Sequence, residues 1–253
     1  MIPKERRDQI LALLEAHGYM TVEQLADNIY VSVPTIRRDL NTLAKEGMIR
    51  RVHGGASHIN TEYLEWPFDQ RNRVQLDEKR RIGKAAAEMV VDGDHIFIDS
   101  GSTCYYMVRY LDSSLKITAL TNCIPTLQEL SRKPNITVEC PCGEYIASLV
   151  SVTGSESAGY IRSRHARIYF ASVSGIDAEV GFSDRTNMVT PIKQAMQKSA
   201  DLTYLLLDHS KVFQKNYYRV FDFCDVDGII TDRELPREIE EKCRENHVKI
   251  ILA

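Results

Sequence analysis

The stretch from Thr21 to Ala56 constrains the fold most, because it contains two helix patterns separated by a very short break. Thr21 and Gln24 have the spacing of a capping box, in which two residues bond each other's backbone at a helix start. Apolar residues then recur at helical period and would form one buried stripe, made of Val22, Leu25, Ala26 and Ile29. After the break at Tyr30-Val31, Ser32 can cap a second helix. The sequence therefore predicts two helices joined by a tight turn.

The second helix divides its side chains between an inner and an outer face. The inner face consists of Ile36, Leu40, Leu43 and Ala44, and the outer face carries Thr35, Arg37, Arg38 and Asn41. Gly47 is placed to end this helix. The segment from Ile49 to Gly55 then indicates a short strand pair with a basic edge and a flexible tip. With a first helix from about Pro3 to His17, this order predicts a winged helix-turn-helix.

Positive charge is concentrated in this module. Residues 33–56 contain five Lys or Arg against two acids, whereas the whole chain has a formal net charge of −3. Double-stranded DNA offers phosphates that attract cations and base edges that pair with donors and acceptors, and exposed arginine and asparagine supply both partners. We therefore expect DNA contacts from Ser32, Thr35, Arg37, Arg38, Asn41, Arg50, Arg51 and His53. The alternative is a solvated face on an ordinary helical hairpin.

The length of 253 residues leaves room for a second, larger domain. We expect the DNA-binding domain over 1–56, a linker over 57–76 and the larger domain over 77–253. A hydrophobic content of 43% supports packed cores, and no apolar run is long enough to span a bilayer. The chain starts without a secretion signal, and its six cysteines fit a reducing compartment, so we expect a cytoplasmic protein. Cys140-Pro141-Cys142 lacks the second pair of a structural zinc site, so we predict neither metal nor cofactor.

Strand and helix patterns alternate from Asp77 to the end of the chain. This order indicates an α/β domain with a largely parallel sheet that helices cover on both faces. The predicted strands are His95–Asp99, Ile117–Leu120, Ile136–Cys140, Arg167–Ala171, Tyr204–Leu207, Gly228–Thr231 and Val248–Leu252. In such sheets, ligands bind beyond the carboxyl ends of the strands.

A candidate phosphate site follows the first of these strands, at Asp99-Ser100-Gly101-Ser102-Thr103. Gly101 would let the backbone approach a ligand closely, and the start of the next helix supplies free N–H groups. Ser102 and Thr103 add hydroxyl donors, so the combination suits a phosphate. The same residue types also cap helices for purely structural reasons, and that reading stays open.

Other polar strand ends would meet at the same edge of the sheet. They contain Thr121, Asn122, Gly175, Asp177, Asp208 and Lys211, and Lys193 lies at the start of a helix. Lysines, carboxylates and hydroxyls brought together there would suit a small phosphorylated polyol. Taken singly, Lys193 and Lys211 are also consistent with solvated surface residues.

The amino-terminal pattern strongly resembles the signature of the DeoR family of bacterial regulators. The matching residues are Ser32-x-x-Thr35-Ile36-Arg37-Arg38-Asp39-Leu40, then Leu43, Gly47 and Arg51-x-His53-Gly54-Gly55-Ala56. The resemblance covers nearly the whole chain, through Glu78-Lys79, Asp99 to Thr103, Thr121-Asn122, Gly175-Ile176-Asp177, Lys193 and Asp208-His209-Ser210-Lys211. It departs in two places, where Cys142-Gly143 replaces a usual Gly-Gly pair and where Thr190-Pro191 stands in place of a usual acid before Lys193.

The resemblance implies a repressor of a sugar-metabolism operon. The family's carboxy-terminal domain is a sensor, similar in fold to ribose-5-phosphate isomerase. It implies a phosphosugar effector whose phosphate sits on Ser100 to Thr103, with Asp177, Lys193 and Lys211 near the sugar. Operator binding would need a dimer or tetramer, because one short helix reads too few bases for useful specificity.

Two other functions stay open at this stage. A sugar-phosphate isomerase or deaminase with an attached DNA module would need a carboxylate base and a group that stabilises an enediolate. Asp177, with Lys193 or Lys211, is the candidate pair for that chemistry. An RNA-binding or scaffold role for the first domain is the other possibility. Asp39 is an acid within the proposed DNA-facing helix, and we expect it to pair with a neighbouring arginine.

Overall fold

The computed structural model describes residues 2–17, 19–52, 54–58 and 68–253, without the side chains of Arg50, Val52 and His58. The chain divides into two compact units, Met1–Trp66 and Pro67–Ala253. His53 of the predicted wing lies outside the described residues. Within the described ranges, no helix is both long enough and apolar enough to cross a membrane.

The described part of the first unit is a winged helix-turn-helix, as the sequence predicts. Its elements are α1 (Pro3–His17), β1 (Tyr19–Thr21), α2 (Val22–Ile29), α3 (Val33–Lys45), β2 (Ile49–Val52) and β3 (Gly55–His58). The strands form an antiparallel sheet in the order β1-β3-β2. The apolar faces of the helices meet in one core, which contains Ile10, Leu14, Val22, Leu25, Ala26, Ile29, Ile36, Leu40 and Leu43.

Local capping signals start the two central helices in different ways. The Thr21 hydroxyl accepts a bond from the Gln24 amide at 3.0 Å, and the Gln24 side chain accepts one from the Thr21 amide at 2.9 Å. This confirms the capping box. Ser32 does stand at the start of α3, but no side chain caps that helix. The predicted Ser32 side-chain cap is wrong, because the Ser32 hydroxyl bonds the Thr35 hydroxyl at 2.9 Å instead.

The second unit contains both strands and helices along its whole length. It begins with α4 (Phe68–Arg73), α5 (Leu76–Ala87), β4 (His95–Ile98), α6 (Ser102–Tyr110), β5 (Ile117–Thr121), α7 (Ile124–Leu130), β6 (Ile136–Glu139), β7 (Glu144–Ile146), β8 (Ser151–Thr153) and α8 (Ser155–Arg162). It continues with β9 (Ala166–Ala171), β10 (Gly175–Asp177), β11 (Gly181–Asp184), α9 (Thr190–Lys198), β12 (Ala200–Leu206), β13 (Tyr218–Phe221), β14 (Gly228–Thr231), α10 (Arg237–Glu245) and β15 (Lys249–Leu252).

Seven of these strands form one parallel sheet in the order β15-β14-β12-β9-β4-β5-β6. A separate apolar core lies on each face of the sheet, one around Tyr169 and Phe182 and the other around Ile98 and Phe170. Neighbouring residues of β9 therefore pack in opposite cores, as the two-residue period of a strand requires. The predicted α/β class with a largely parallel, doubly covered sheet is confirmed.

Three features of the second unit differ from the sequence-based expectation. Short strands form the antiparallel β7–β8 pair and the β10-β11-β13 sheet, which the sequence did not indicate. The sequences of these short strands contain polar residues or glycine and show no continuous apolar run. Helix α4 lies inside the segment expected to be a linker over 57–76, and its Phe68 ring packs against Tyr105 at 5.6 Å.

The chain reverses its direction of travel across the sheet between β4 and β9. From β4 it proceeds outward through β5 to β6, and from β9 it proceeds the other way through β12 and β14 to β15. The chain therefore leaves β4 and β9 toward opposite sides of the sheet, while the two loops themselves meet at its carboxyl edge. This is the position where open α/β sheets bind ligands.

Candidate functional site

Helix α3 presents a basic outer face. Arg37, Arg38 and Asn41 are exposed, while Ile36 and Leu40 on the opposite side are fully buried. Within the described part of the chain, neither guanidinium forms an ion pair. Arg51 on β2 is exposed as well. The geometry leaves two cations and an amide free for DNA along one helix face.

Asp39 does not belong to that outer face. Its carboxylate is buried and accepts two bonds from Arg6 of α1, at 2.5 Å from Nε and 3.2 Å from Nη2. The expected arginine partner exists, but it lies 33 residues earlier rather than beside Asp39. The acid is thus turned toward α1, where it cannot repel phosphates in front of α3.

The loop between β4 and α6 has the properties of an anion site. Gly101 is the N-cap of α6, and no side chain caps this helix. The first amides of a helix have no acceptor within the helix, so these N–H groups remain available. Ser100, Ser102 and Thr103 are nearly buried, and their hydroxyls make no hydrogen bond to any described residue. The loop thus carries backbone amides and side-chain hydroxyls without partners among the described residues.

Gly101 has a different role from the one expected. A Cβ at this position would overlap the side chain of Ser172, well inside 3.0 Å. Its φ of −74° is ordinary for any residue. The glycine is needed so that the β9 loop can lie against the β4 loop, and this contact explains it without a ligand.

A buried charge cluster ties the two loops together. Asp99 accepts bonds from the Ser172 amide at 3.1 Å and from its hydroxyl at 2.6 Å. The Lys193 ammonium, 4% exposed, lies 2.7 Å from Asp184 Oδ2 and 3.2 Å from Asp99 Oδ2. It also donates to the Ser172 carbonyl at 2.5 Å. Three oxygens therefore surround an ammonium with three hydrogens, and the Lys193 donors are already committed within the protein.

Burial and the neighbouring carboxylates shift the pKa of Lys193 in opposite directions. Burial by itself lowers the pKa of the Lys193 ammonium, but the Asp184 and Asp99 carboxylates raise it more, and the net pKa lies above its ordinary value. Lys193 is therefore a cation at physiological pH. Sequence reasoning missed Asp184, which supplies the acid that seemed to be absent before Lys193. Its signal was weak, because it lies nine residues away at the end of a four-residue strand.

The β5 loop is stabilised by internal bonds. Thr121 Oγ1 accepts from the Cys123 amide at 3.2 Å, and the Asn122 amide nitrogen donates to the Val152 carbonyl at 3.1 Å. Both residues are fully buried. Asn122 Oδ1 is buried without a partner among the described residues. This loop thus offers one acceptor at the carboxyl edge of the sheet.

Gly175 and Asp177 serve the small antiparallel sheet. A Cβ on Gly175 would overlap the Gln214 carbonyl, so packing requires the glycine. The Asp177 carboxylate accepts from two amides of the β10–β11 turn, at 2.9 and 3.2 Å, and lies 3.4 Å from the Lys215 ammonium. Burial raises the pKa of this carboxyl, but the turn amides and Lys215 outweigh it and the pKa lies below its ordinary value. Every bond that the structure gives Asp177 is thus to this hairpin or to Lys215.

A second polar group follows β12. Asp208 accepts from the Ser210 amide at 3.0 Å, and its other carboxylate oxygen is buried without a partner among the described residues. Lys211 is half-buried and makes no side-chain bond in the described part. Lys79, which the sequence reasoning did not assign to the site, lies near both. Its buried ammonium donates to the carbonyls of Arg71 and Val74.

Lys79 is the most strongly perturbed base in this group. Burial lowers the pKa of its ammonium to about 8, the positive charges of Lys211 and Arg71 lower it too, and Asp208 only partly opposes them. The residue spacing gave no sign of this, because Lys79 lies on α5, far from Asp208 in sequence.

Two groups of side chains among the described residues have the composition of a metal site, and the less buried of them is Asp222, Cys224 and Asp225. In the more buried group, ligand atoms of Glu78, His209 and Asp232 lie within 4.8 Å of one another. However, His209 Nδ1 bonds Asp232 at 2.7 Å, the His209 amide bonds the same carboxylate, and Arg233 lies 3.6 Å from it. Protein partners, including a cation, thus already compensate the Asp232 charge.

Family models of known proteins match both units of the chain. A model of the DeoR-like helix-turn-helix domain matches residues 6–62, and a model of the DeoR C terminal sensor domain matches residues 74–233. The HTH-type transcriptional regulator GolR of Listeria innocua is 30% identical over 253 residues, which is 100% of each chain. The glycerol-3-phosphate regulon repressor of Escherichia coli is 27% identical over 98% of each chain. A ribose 5-phosphate isomerase of Methanocaldococcus jannaschii superimposes with a TM-score of 0.41 and 17% identity over 55% of each chain.

Proposed function

We propose that this chain, which belongs to the DeoR family of transcriptional regulators, represses a carbohydrate-metabolism operon in the cytoplasm under the control of a phosphorylated sugar. The two relatives compared above are named as a transcriptional regulator and a regulon repressor, not as enzymes. The effector and its site are our proposal. One observation carries it, the uncapped start of α6 at the point where the sheet reverses direction.

The phosphate would occupy the start of α6. Free amides of the first turn point along the helix axis toward this position, and the helix dipole adds positive potential there. The unbonded hydroxyls of Ser100, Ser102 and Thr103 would donate to the remaining phosphate oxygens. A phosphate dianion at this end of the helix would thus exchange its hydration shell for amide and hydroxyl donors that the protein holds in place.

The sugar would extend from there across the carboxyl edge. Asn122 Oδ1 and one Asp208 oxygen are buried acceptors without protein partners, so each suits a sugar hydroxyl. Lys211, which also lacks a side-chain bond, would contact the phosphate or a hydroxyl. In this proposal Gly101, Thr121, Gly175, Asp177 and Lys193 shape the loops rather than touch the ligand, because their contacts are already made within the protein. Asp99 holds Ser172 and Lys193 through Oδ2, and its buried Oδ1, which has no partner among the described residues, is a third acceptor for the ligand.

The first unit would bind operator DNA as part of a dimer or tetramer. Arg37, Arg38 and Asn41 would reach base edges in the major groove, with Ser32 and Thr35 at the start of the same helix. Arg50, Arg51 and His53 of the wing would contact phosphates. Two or more heads are needed, because one short helix contacts too few bases for specific binding.

An enzymatic role finds little support in the geometry. Isomerisation needs a free carboxylate beside the substrate carbon, and the Asp177 carboxylate is occupied by two turn amides and Lys215. Lys193 is likewise committed to two carboxylates. Purified protein should therefore bind pentose or hexose phosphates without turning them over, and measurable turnover would contradict the regulator proposal.

A thermal-shift screen tests the effector proposal directly. Phosphorylated sugars are compared with the same sugars lacking phosphate, using the full-length protein. At a hundred times its dissociation constant, a ligand adds about 2.7 kcal/mol of stability. For a unit of this size that raises the melting temperature by roughly 5–10 °C.

The variant Ser102→Asp provides the matched control. The helix dipole favours an acid in the first turn, which offsets part of the cost of a charge at this nearly buried position, and the acid places a negative charge where the phosphate would bind. A cooperative melting transition without ligand, even at a lower temperature, would show that the fold is retained, and the ligand-induced shift should disappear. A shift of wild-type size in Ser102→Asp would remove the α6 site from the proposal.

A further inference from the structure

Tyr30 has an unusual backbone and no packing that explains it. It ends α2 with φ 57° and ψ 46°, the left-handed conformation that glycine and asparagine adopt most easily. Its side chain is 92% exposed and forms no bond or ring contact with any described residue. The amide of Tyr30 closes the helix by bonding Ala26, which any residue can do. The fold of this unit therefore gains nothing from a tyrosine at this position.

The position of Tyr30 points to the DNA backbone. It lies two residues before Ser32, at the start of α3, in the turn between the two helices. In a helix-turn-helix, the second helix enters the major groove while the first crosses the phosphate backbone. The turn between them therefore passes close to the phosphates that flank the groove. Tyr30 is exposed and lies shortly before the amino-terminal half of α3, which carries the free arginines.

We propose that Tyr30 contacts DNA, with its phenol hydroxyl donating to a phosphate oxygen and its ring lying against the adjacent sugar. Tyrosine is among the residues that bind phosphates and fix the orientation of a protein on the duplex. A left-handed backbone that costs stability in the free protein persists at functional sites where the side chain is needed. This proposal rests on the proposed DNA-binding role of the first unit. It adds an uncharged residue to the DNA contacts proposed above for the arginines and their neighbours.

The contact has a signature that separates it from an arginine contact. The phenol is uncharged, so losing its hydrogen bond should weaken binding without changing the number of counterions released. A phosphate contact is also independent of base sequence. A duplex of arbitrary sequence, about 30 base pairs long and able to hold two half-sites, is therefore a sufficient probe.

Fluorescence anisotropy of this labelled duplex, measured at several salt concentrations, compares four full-length proteins. Tyr30→Phe should bind about tenfold more weakly than wild type, with the slope of log affinity against log salt unchanged. Arg51→Ala should lose affinity and reduce that slope by about 0.9. Tyr145→Phe, an exposed tyrosine of the second unit, should behave as wild type.

Tyr30→Asn separates DNA binding from folding. Asparagine tolerates the left-handed backbone, so its melting temperature should equal or exceed that of wild type while DNA affinity falls at least as far as in Tyr30→Phe. Wild-type affinity in Tyr30→Phe, with Arg51→Ala weakened, would overturn the Tyr30 contact and leave the DNA-binding role intact. A lowered salt slope in Tyr30→Phe would also overturn it, because an uncharged contact cannot change that slope.

Discussion

Replacing Lys193 by methionine tests whether the second unit depends on one buried ammonium. The side chain is 4% exposed and lies among Asp99, Asp184 and the Ser172 carbonyl. Methionine has a similar length but no charge, so it would leave two carboxylates buried without their cation. Breaking a buried ion pair on one side costs about 3–5 kcal/mol. That is a large fraction of the usual stability of a domain, about 5–15 kcal/mol.

The loss should be visible by thermal and by urea unfolding. For a unit of this length, about 2–4 °C of melting temperature corresponds to each kcal/mol, so Lys193→Met should melt roughly 6–20 °C below wild type. Lys198→Met, at the exposed end of the same helix, is the matched control and should change stability by less than about 0.5 kcal/mol. A loss in Lys193→Met no larger than in Lys198→Met would refute the reasoning.

The pH dependence and a second substitution sharpen this test. The pKa of Lys193 in the folded chain lies above its ordinary value, so the stability that it contributes is fully present throughout the neutral range. Adding Asp184→Asn to Lys193→Met should recover part of the loss, because one of the two uncompensated charges is removed.

Three further predictions concern single residues. Gly101→Ala should lower the free energy of unfolding in urea by about 1–3 kcal/mol, because the new methyl group would force Ser172 away. Gly159→Ala, inside α8 with open space around it, should raise that free energy by about 0.5–1 kcal/mol. A stability gain in Gly101→Ala would contradict the packing role of this glycine. Burial lowers the pKa of the Lys79 ammonium to about 8, so wild type should gain stability relative to Lys79→Met as the pH rises from about 8 to about 10. Urea unfolding measures the free-energy difference between the two proteins, and a difference that stays constant over this pH range would contradict the buried ammonium. Arg38→Ala should lose about 1–3 kcal/mol of operator binding in an anisotropy titration while keeping the ligand-induced thermal shift, and unchanged DNA affinity would displace Arg38 from the reading face.

Features set by neighbours along the chain could be predicted from the sequence. The capping box at Thr21 involves two residues three positions apart, and the apolar stripe of α2 follows the helical period. The parallel sheet followed from alternation over a long stretch, where many weak signals agree. The same reasoning placed the loops at the carboxyl edge, because strand direction fixes where each loop emerges.

Features set by distant residues could not be predicted in this way. Asp39 is neutralised by Arg6, and Lys193 by Asp184, because folding brings these side chains together across the core. The reason for Gly101 was also hidden, since sequence shows that a glycine is needed but not whether a ligand or Ser172 approaches it. In each case the residue type indicated where in the chain an important side chain lies, but its role depends on the residue that it contacts in the folded protein.

The most direct test of the central claim is whether a phosphorylated sugar changes the affinity of the protein for operator DNA. Anisotropy of labelled operator is followed as the sugar phosphate identified by thermal shift is added to wild type and to Ser102→Asp. Both proteins should bind DNA without ligand, and wild-type affinity should change by roughly 5–150-fold on addition of ligand, as effector coupling typically provides. Ser102→Asp should not respond, nor should wild type with the unphosphorylated sugar. An equal response from both proteins, or from sugar without phosphate, would contradict a phosphate site at the start of α6.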